Sequence, residues 1–475
     1  MSKMPQTIFI LAVLICLAGC TLIPELEKPA SPVPERYPSE EGYDPALMNN
    51  TRSRVLNDIA WENFFRDETV KKLIAAGLEN NRDLKAAALA ISEARARYGI
   101  EKSRLLPEVS GETVYTRQRI PGSQRPLPNS GATSETYSVS LDMTAYELDL
   151  FGRLRSLSEA ALNDYLATEA ARESVRISLI SDIASAYIDY RADQALLTLA
   201  DETVRASRDA LDLIRLRTEK GVASDLDLRQ AETLLHAARV DRARYLNAVA
   251  RDRNALRLLL GTPETMPDLV EPVTQHMFFN DFFTDVPAGM PALLLTSRPD
   301  IIQAEYALKA ANANIGAARA AFFPTISLTT AGGYASGELS GLFDYDMRYW
   351  QFSPQIHIPI FTAGRLKKSL DVAEIRKNRA VLEYERTIEQ AFREVADALS
   401  AVSTYDDQVK AQADLVAATE SATRLSQLRY DAGVENYLTV LDARRQLYAA
   451  RQALIRQKMS EMKAGISLYK AVGGS

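Results

Sequence analysis

The sequence predicts an α+β protein that contains two copies of one structural unit, each a β-hairpin followed by a long helical hairpin. Two observations lead to this prediction. Residues 153–261 recur as residues 365–473 at a constant offset of 212. Upstream, residues 83–110 recur as residues 300–327 at an offset of 217. An internal duplication of this length indicates a repeated supersecondary unit and a pseudo-symmetric assembly.

The composition is that of a large, ordered protein. The chain has 475 residues, of which 47% are hydrophobic and 25% are charged, and its formal net charge is -6. This mildly acidic balance argues against nucleic acid as a partner, and the sequence has no basic patch with interleaved aromatic residues. The chain has two cysteines, Cys16 and Cys20, both close to its N-terminus.

The N-terminus has the features of a bacterial export signal. Lys3 is followed by an apolar segment over 8–17, which is too short to cross a bilayer as a mature helix. The sequence Leu-Ala-Gly-Cys over 17–20 looks like a lipobox, and it predicts a signal peptide over 1–19 and a lipid on Cys20. The alternative is a plain signal peptide that leaves Cys20 as a free thiol. Either maturation removes Cys16, so we expect no internal disulfide.

An extended tether should follow the signal peptide. We assign residues 20–65 to a lipidated tether because six prolines lie within 24–45. Thr21 is not the aspartate that would indicate retention at the inner membrane. Past residue 20 the sequence has no apolar run long enough for a membrane-spanning helix, so we expect any passage through a membrane to be made of β-strands.

The first repeat is predicted over 66–261. Its first part, from about 67 to 104, has helical periodicity. A β-hairpin is predicted over 105–152, because its second half alternates apolar and polar residues. The alternation changes phase at Tyr146, as expected for a strand that leaves a bilayer for a different environment.

The second repeat is predicted over 297–471, after a proline-rich linker over 262–296. Its β-hairpin is predicted over 322–362, where apolar and polar residues again alternate. Pro354 and Pro359 lie in the second strand of this hairpin. Proline cannot donate a ladder hydrogen bond, so these two residues argue against a regular ladder there.

Each repeat should end in a long helical hairpin. Residues 153–260 contain no proline and one glycine, Gly221, which predicts two helices with a turn at this glycine. The corresponding stretch of the second repeat predicts a helical hairpin over 365–470 with its turn at Gly433. Glycine suits both turns because it accepts the positive φ that ends a helix.

The number of strands requires more than one chain. Each chain would supply four strands of membrane-spanning length, whereas the smallest transmembrane barrels need about eight. Two chains would give eight strands and a filled interior, and three would give twelve strands with room for a water-filled lumen. The helical hairpins would pack side by side into a matching tube. A duct through the outer membrane and the periplasm accounts for every segment; a periplasmic coiled-coil scaffold with small β-domains is the alternative.

Eight segments of the sequence resemble the outer-membrane efflux factors of the TolC type, particularly the OprM-like lipoproteins. They are Cys20–Pro24, Trp61–Asp67, Glu79–Leu84, Tyr146–Arg153, Arg298–Ile301, Ala320–Pro324, Pro359–Gly364 and Asn436–Ala443. The resemblance implies a homotrimer with a twelve-stranded transmembrane β-barrel that continues into a twelve-helix periplasmic α-barrel, with an equatorial mixed belt. It also implies a lipid-anchored protein of the cell outer membrane that docks to a periplasmic adaptor protein and an inner-membrane pump of the resistance–nodulation–division class.

The implied function is the passive export of small compounds such as drugs, solvents or amphiphiles. Two alternatives remain open. The duct could serve type I protein secretion, in which an ATP-binding-cassette exporter uses the same tunnel, or the protein could be the non-conducting scaffold.

The sequence contains no motif of an enzyme. It has no nucleotide-binding loop, no nucleophile elbow and no cysteine nucleophile. His236, His276 and His357 are scattered without metal-ligand spacing. We therefore assign no catalytic or metal-binding residue, and we expect no cofactor apart from the covalent lipid on Cys20.

A gate is predicted just past the turn of the second helical hairpin. A permanently open tunnel would leak, so residues one to three helical turns after Gly433 should face a narrowing pore. Leu438, Asp442 and Arg445 lie on one helix face at this position. The family motif places Leu438 and Asp442 in the constriction, with Arg445 beside them as an ion-pair partner. The alternative is a solvated helix face with ordinary surface pairs.

The first repeat has Leu226 and Asp227 at the corresponding bend, and we include both in the predicted gate. One departure from the family concerns Glu435 and Thr439, which occupy positions where TolC carries arginine and aspartate. We therefore do not expect the ion-pair lock of TolC in this protein.

Overall fold

A computed structural model of the protein describes residues 21–34, 37, 60–121, 123, 133–262, 282–283 and 297–474. The predicted signal peptide, Cys20, His276 and most of the predicted tether and linker lie outside the described residues. The described residues form eight α-helices and four β-strands. The helices are α1 (Trp61–Phe64), α2 (Glu68–Asn80), α3 (Arg82–Ser103), α4 (Arg153–Glu219), α5 (Asp225–Leu260), α6 (Pro299–Ala320), α7 (Arg365–Asp431) and α8 (Tyr437–Ala471). The strands are β1 (Ser110–Arg119), β2 (Thr133–Leu148), β3 (Thr325–Ser336) and β4 (Arg348–His357).

The helical stretch predicted from 67 to 104 is two helices, because Asn81 interrupts it. The backbone of Asn81 is extended, with φ -56 and ψ 134. Its side-chain Oδ1 accepts a hydrogen bond from Leu84 N at 2.9 Å, and its Nδ2 donates to Leu259 O at 2.8 Å. Asn81 thus caps the start of α3 and ties it to α5, so the helical periodicity on both sides belongs to separate helices.

The long helices begin at capping residues of the expected chemical type. Ser224 and Asp227 form a reciprocal capping box at the start of α5. Asn436 caps α8, and its side-chain oxygen accepts a hydrogen bond from Thr439 N at 3.0 Å. Helices α4 and α7 each have 67 residues. Among the described residues, none of the helices combines the length and apolar composition needed to cross a membrane.

The four strands form one antiparallel sheet in the order β1-β2-β3-β4. Pro354 lies within β4 opposite Leu328. Among the described residues β4 pairs on one side only, and an edge strand of this kind tolerates a proline.

The phase change at Tyr146 has a different cause from the one expected from the sequence. Met143 pairs with Thr330 and Tyr146 pairs with Leu328, so β2 has one residue more than β3 between these two pairs. This β-bulge includes Ala145, whose φ is 52. The extra residue returns Tyr146 and Leu148 to the same face of the sheet as Met143. The bulge therefore accounts for the change of phase and keeps the apolar face continuous.

The chain divides into two compact units. The first lies within residues 1–30, 90–169 and 303–384 and contains the β-sheet with the adjoining parts of α3, α4, α6 and α7. The second lies within residues 31–89, 170–302 and 385–475. Its core is a cluster of buried apolar side chains that includes Phe64, Ile180, Tyr187, Leu256 and Tyr469. Phe64 stacks on Tyr469, with ring centroids 4.5 Å apart.

Candidate functional site

One face of the β-sheet is apolar along its length. The register places Leu141, Gly332 and Trp350 in one row across the sheet. A second row contains Met143, Thr330 and Phe352, and a third, beyond the bulge, contains Leu148, Ile326 and Ile356. The apolar residues predicted on alternate positions of each strand are therefore brought together on one surface.

This apolar face is not covered by the described residues. The Trp350 side chain is 82% exposed, and Phe352 and Ile356 are also exposed. The two edge strands, β1 and β4, each pair on one side only within the described part of the chain. An exposed apolar face of this kind is unfavourable in water, and open strand edges can pair with further strands.

The opposite face of the sheet is polar. It carries Asp142 and Gln351 in one row with Ala331 between them, and Ser353, Gln355 and His357 farther along β4. Ser140 Oγ lies on this face and donates a hydrogen bond to Asp142 Oδ2 at 2.6 Å. A sheet with one apolar and one polar face is suited to separate lipid from water.

The turn of the first helical hairpin contains Gly221, whose φ of 71 lies in the left-handed region. We call residues 220–224, between α4 and α5, the first tip. Leu226 is 65% exposed on the first turn of α5. Asp227 Oδ2 accepts hydrogen bonds from Ser224 N at 3.0 Å and Ser224 Oγ at 2.7 Å. The Asp227 carboxylate thus fixes the start of α5, a role different from the one expected from the sequence.

The turn of the second helical hairpin contains Gly433, whose φ is 76. We call residues 432–436, between α7 and α8, the second tip. Leu438 is 53% exposed just after it. Asp442 Oδ1 accepts a hydrogen bond from Arg445 Nη2 at 2.6 Å, and its Oδ2 accepts one from Gln446 Nε2 at 2.6 Å. The structure therefore places Asp442 and Arg445 in an ion pair within α8.

Glu435 and Thr439 interact with each other at the start of α8. Thr439 Oγ1 donates a hydrogen bond to Glu435 Oε1 at 3.1 Å, and Arg429 Nε lies 3.3 Å from Glu435 Oε2. These contacts, the Thr439 hydrogen bond above all, lower the pKa of Glu435. The contacts of this pair stay within one helical hairpin, between the end of α7 and the start of α8.

The two helical hairpins are joined next to their tips by residues that were not predicted from the sequence. Arg217 Nη1, near the end of α4, donates a hydrogen bond to Tyr430 OH at 2.8 Å. The same guanidinium lies 4.9 Å from the centre of the Tyr430 ring, and this ring packs at 5.3 Å from Tyr437. In the repeat alignment Tyr430 corresponds to Thr218, and this difference between the copies is the only trace of the contact in the sequence.

An apolar cluster packs below this contact. Its buried members come from both helical hairpins and are Leu211, Ile214, Ala231, Leu235, Tyr437, Val440 and Leu441. The polar contact at the tips therefore lies above a packed core. Separation of the hairpins would expose that core to water, which is unfavourable.

Metal-binding geometry is absent from the described part of the chain. Among those residues, no three His, Cys, Asp or Glu side chains converge as metal ligands. His236 lies on α5 and His357 ends β4, in separate elements.

Comparisons with known proteins agree with this architecture. The family model described as outer membrane efflux protein matches residues 73–262 and 290–474. The toluene efflux pump outer membrane protein TtgC of Pseudomonas putida is 45% identical over 458 residues, which are 96% of this chain and 93% of TtgC. The cation efflux system protein CusC of Escherichia coli is 40% identical over 463 residues, 97% of each chain. The open state of the MtrE outer membrane channel of Neisseria gonorrhoeae has a TM-score of 0.84 at 36% identity, covering 96% of this chain and 98% of MtrE.

The fold and the two-faced sheet thus define a membrane channel rather than an enzyme. The chain belongs to the outer membrane efflux protein family. The resemblance seen in the sequence is confirmed, and so is the α+β fold of this class of channel. It follows that the protein acts in efflux at the outer membrane.

Proposed function

We propose that this protein is the outer-membrane exit duct of a tripartite efflux system and that it works as a homotrimer. One observation carries the proposal: the four-stranded sheet has an uncovered apolar face, a polar face and two unpaired edges. Three copies would pair β1 of each chain with β4 of the next and close a twelve-stranded barrel. The apolar face would then contact lipid and the polar face would line a water-filled lumen.

The long helices would continue the barrel as a periplasmic tunnel. Helices α4, α5, α7 and α8 of three chains make twelve helices, and the shorter helices would form an equatorial belt. An internal duplication is supported by the equal lengths of α4 and α7, at 67 residues each, and by the similar lengths of α5 and α8, at 36 and 35. The family model also matches the chain in two segments. We propose that residues 66–261 and residues 297–471 are the two copies of this duplication.

The N-terminus would anchor the channel in the outer membrane. We retain the predicted signal peptide over 1–19, the lipid on Cys20 and the linker over 262–296. Of the tether predicted over 20–65 we retain the part before α1, because Phe64 of α1 packs in the core of the second unit. The tether begins within a segment that packs on α6, where Asn312 Nδ2 donates a hydrogen bond to Pro24 O at 2.8 Å. A lipid next to this segment would lie beside the folded channel.

The cargo would be small organic compounds such as solvents, drugs and amphiphiles. The protein named as a toluene efflux component is 45% identical to this chain, and the protein named as a cation efflux component is 40% identical. The duct would receive cargo from a periplasmic adaptor and an inner-membrane pump of the resistance–nodulation–division class, so transport through it would be passive.

The tips would form the gate of this duct. Leu438, Asp442 and Arg445 after the second tip would face the pore, with Leu226 and Asp227 at the first tip. Threefold symmetry would bring three Asp442 carboxylates together, and such a ring favours cations over anions. Opening would spread the second helical hairpin, with Gly433 at its turn, away from the first hairpin with Gly221 at its turn. This is a change between two packed states rather than a new fold.

Two measurements test the proposal. Chemical cross-linking of the protein in outer-membrane vesicles should stop at trimers; a ladder that stops at dimers would contradict the twelve-stranded barrel. Deletion of the gene should raise the intracellular accumulation of toluene or ethidium several-fold, and the wild-type gene should restore the low level. Unchanged accumulation together with loss of a secreted protein would instead support a type I secretion duct. Unchanged accumulation together with unchanged secretion would support the scaffold.

A further inference from the structure

A cavity of about 740 Å³ lies beside the N-terminal segment in the unit that contains the β-sheet. Its walls are the end of α3, the start of α4, the middle of α6 and residues 21–26. The gate, the sheet faces and the tips do not use this cavity. One of its lining residues is Thr21, which follows the predicted lipid-bearing residue in the sequence.

The N-terminal segment is a fixed wall of this cavity. Besides the Asn312 hydrogen bond to Pro24, Lys28 Nζ lies 3.0 Å from Glu305 Oε2. Ile23 fills a notch at Gly316, where an added Cβ would come within 2.6 Å of Ile23 Cγ1 and 2.7 Å of Ser156 Oγ. Only glycine leaves room for this close approach. The cavity is therefore bounded by a segment with specific contacts on α6.

The lining combines apolar side chains with an excess of positive charge. Lys102, Arg155 and Lys309 line the cavity together with one carboxylate, that of Glu159. Arg155 Nε is 3.2 Å from Asp149 Oδ2, so this cation has its own partner. The Lys102 ammonium, by contrast, lies over the Tyr98 ring at 5.6 Å from its centre.

Lys309 is the second lysine of the lining, and its Nζ also lies 4.7 Å from the centre of the Tyr306 ring. Its Nζ lies 2.8 Å from Glu305 Oε1, but Glu305 also binds Lys28, so one carboxylate is shared between two ammonium groups. The remaining wall includes Ile23, Leu26, Leu105 and Leu162. An anionic group next to Lys102 and Lys309, with an attached hydrocarbon chain along these side chains, would satisfy both kinds of surface.

The position of the cavity indicates where such a ligand would come from. It lies at the end of the sheet, because Leu105 precedes β1 and Arg155 follows β2. Exposed apolar residues occur at the same end of the sheet: Ile360 is 93% exposed and Phe361 is 88% exposed. In the proposed orientation of the channel, on which this inference rests, this end of the sheet meets the headgroups of the inner leaflet of the outer membrane.

We propose that this cavity binds an anionic glycerophospholipid. The phosphate would be held between the ammonium groups of Lys102 and Lys309, and one acyl chain would lie against Ile23, Leu26 and Leu162. Bound lipid would add contacts between the N-terminal segment, α4 and α6. The lipid would thus bind where the predicted tether begins.

The test is native mass spectrometry of the delipidated full-length protein with added phosphatidylglycerol. Lys102→Gln combined with Lys309→Gln should weaken phosphatidylglycerol binding about tenfold, because two charge-assisted contacts to the phosphate are lost. The matched control is Lys367→Gln with Lys368→Gln, two lysines at the exposed start of α7 in the same unit, which should bind like the parent. Lys102→Arg with Lys309→Arg should retain binding and shows that the site tolerates substitution.

Equal binding by the glutamine variant and the parent would overturn the proposal. Glycerol 3-phosphate is the headgroup probe: if it competes as well as a short-chain phosphatidylglycerol at equal concentration, the cavity is a phosphate site and the lipid assignment is wrong. Conductance in planar bilayers, recorded for the same preparations, distinguishes a failure of the lipid proposal from a failure of the proposed duct function. Loss of lipid binding with intact conductance would concern this cavity, whereas a parent protein without conductance would contradict the duct itself.

Discussion

Asp252 on α5 is a residue whose ionisation depends strongly on the fold. Burial, followed by the charge of Asp193 on α4, raises the pKa of Asp252 from 3.8 to about 7. Asp252 Oδ2 is buried without a hydrogen-bond partner among the described residues. Asp189 also faces the pair but is bound to Lys463, 2.6 Å away on α8. The protein thus keeps a carboxyl group between two helices where its negative charge is unfavourable.

Asp252→Asn should stabilise the protein at pH 8 and change it little at pH 4. The folded-state pKa lies above the unfolded value, so the folded protein binds more protons between about pH 4 and 7, and its stability falls as pH rises through this range. Because the pair is partly exposed and screened by solvent, we expect a gain on the order of 1 kcal/mol at pH 8. Thermal unfolding at both pH values measures it.

Asp209→Asn, at an exposed position of α4, is the control and should leave the pH dependence unchanged. A variant at Asp252 with the parent's pH dependence would show that this carboxyl group does not titrate as described.

Single residues of the candidate site were only partly predictable from the sequence. The spacing of Asp442 and Arg445 was sufficient to predict their ion pair, because residues three apart on a helix are neighbours. The capping role of Asp227 could also have been found from the pattern Ser-x-x-Asp before an apolar helix. The contact of Arg217 with Tyr430 joins residues 213 positions apart, and no local spacing indicates it.

Among the structural elements, the second helical hairpin carries the prediction about gating. Leu438→Ala combined with Asp442→Ala should raise single-channel conductance several-fold, because the variant removes both the apolar and the charged side chain from the proposed constriction. It should also reduce the preference for cations. Asp414→Ala, at an exposed position of α7, is the matched control. An unchanged current in the double variant would remove these residues from the gate.

The same elements show where sequence patterns are ambiguous. A β-bulge and a change of environment both shift an alternating pattern by one residue, so the pattern at Tyr146 could not distinguish them. Likewise, helical periodicity continues across Asn81, although α2 and α3 are separate helices. Only the cap contact of Asn81 with Leu84 and its bond to Leu259 show that the helix ends there. The proline-free stretch at 153–219, by contrast, is a single helix in the structure, since nothing in it favours an end.

At the scale of the whole molecule, the lipid anchor and the barrel make separate contributions to membrane binding. We expect the mature wild-type N-terminus to carry a diacylglyceryl group on Cys20, detectable by mass spectrometry. A variant with a plain signal peptide in place of 1–19 and Cys20→Ala should lack this mass. It should still fractionate with the outer membrane, because the apolar face of the sheet would remain in lipid.

Recovery of that variant in the soluble periplasmic fraction would contradict membrane insertion of the sheet. An unmodified Cys20 in the wild-type protein would contradict the lipobox prediction and leave the barrel prediction untouched.

The seat of Ile23 against Gly316 has a mechanical consequence. Ile23 and Pro24 are held on α6, and the three residues from Cys20 to Ile23 span at most about 11 Å, so a lipid on Cys20 would be attached within that distance of the held segment. Such a short attachment would fix the depth of the channel in the membrane rather than let it move along the membrane normal. Axial load on the duct would then pass through α6 into the membrane, and the height of the channel relative to the lipid surface would stay constant while its far end is pulled open.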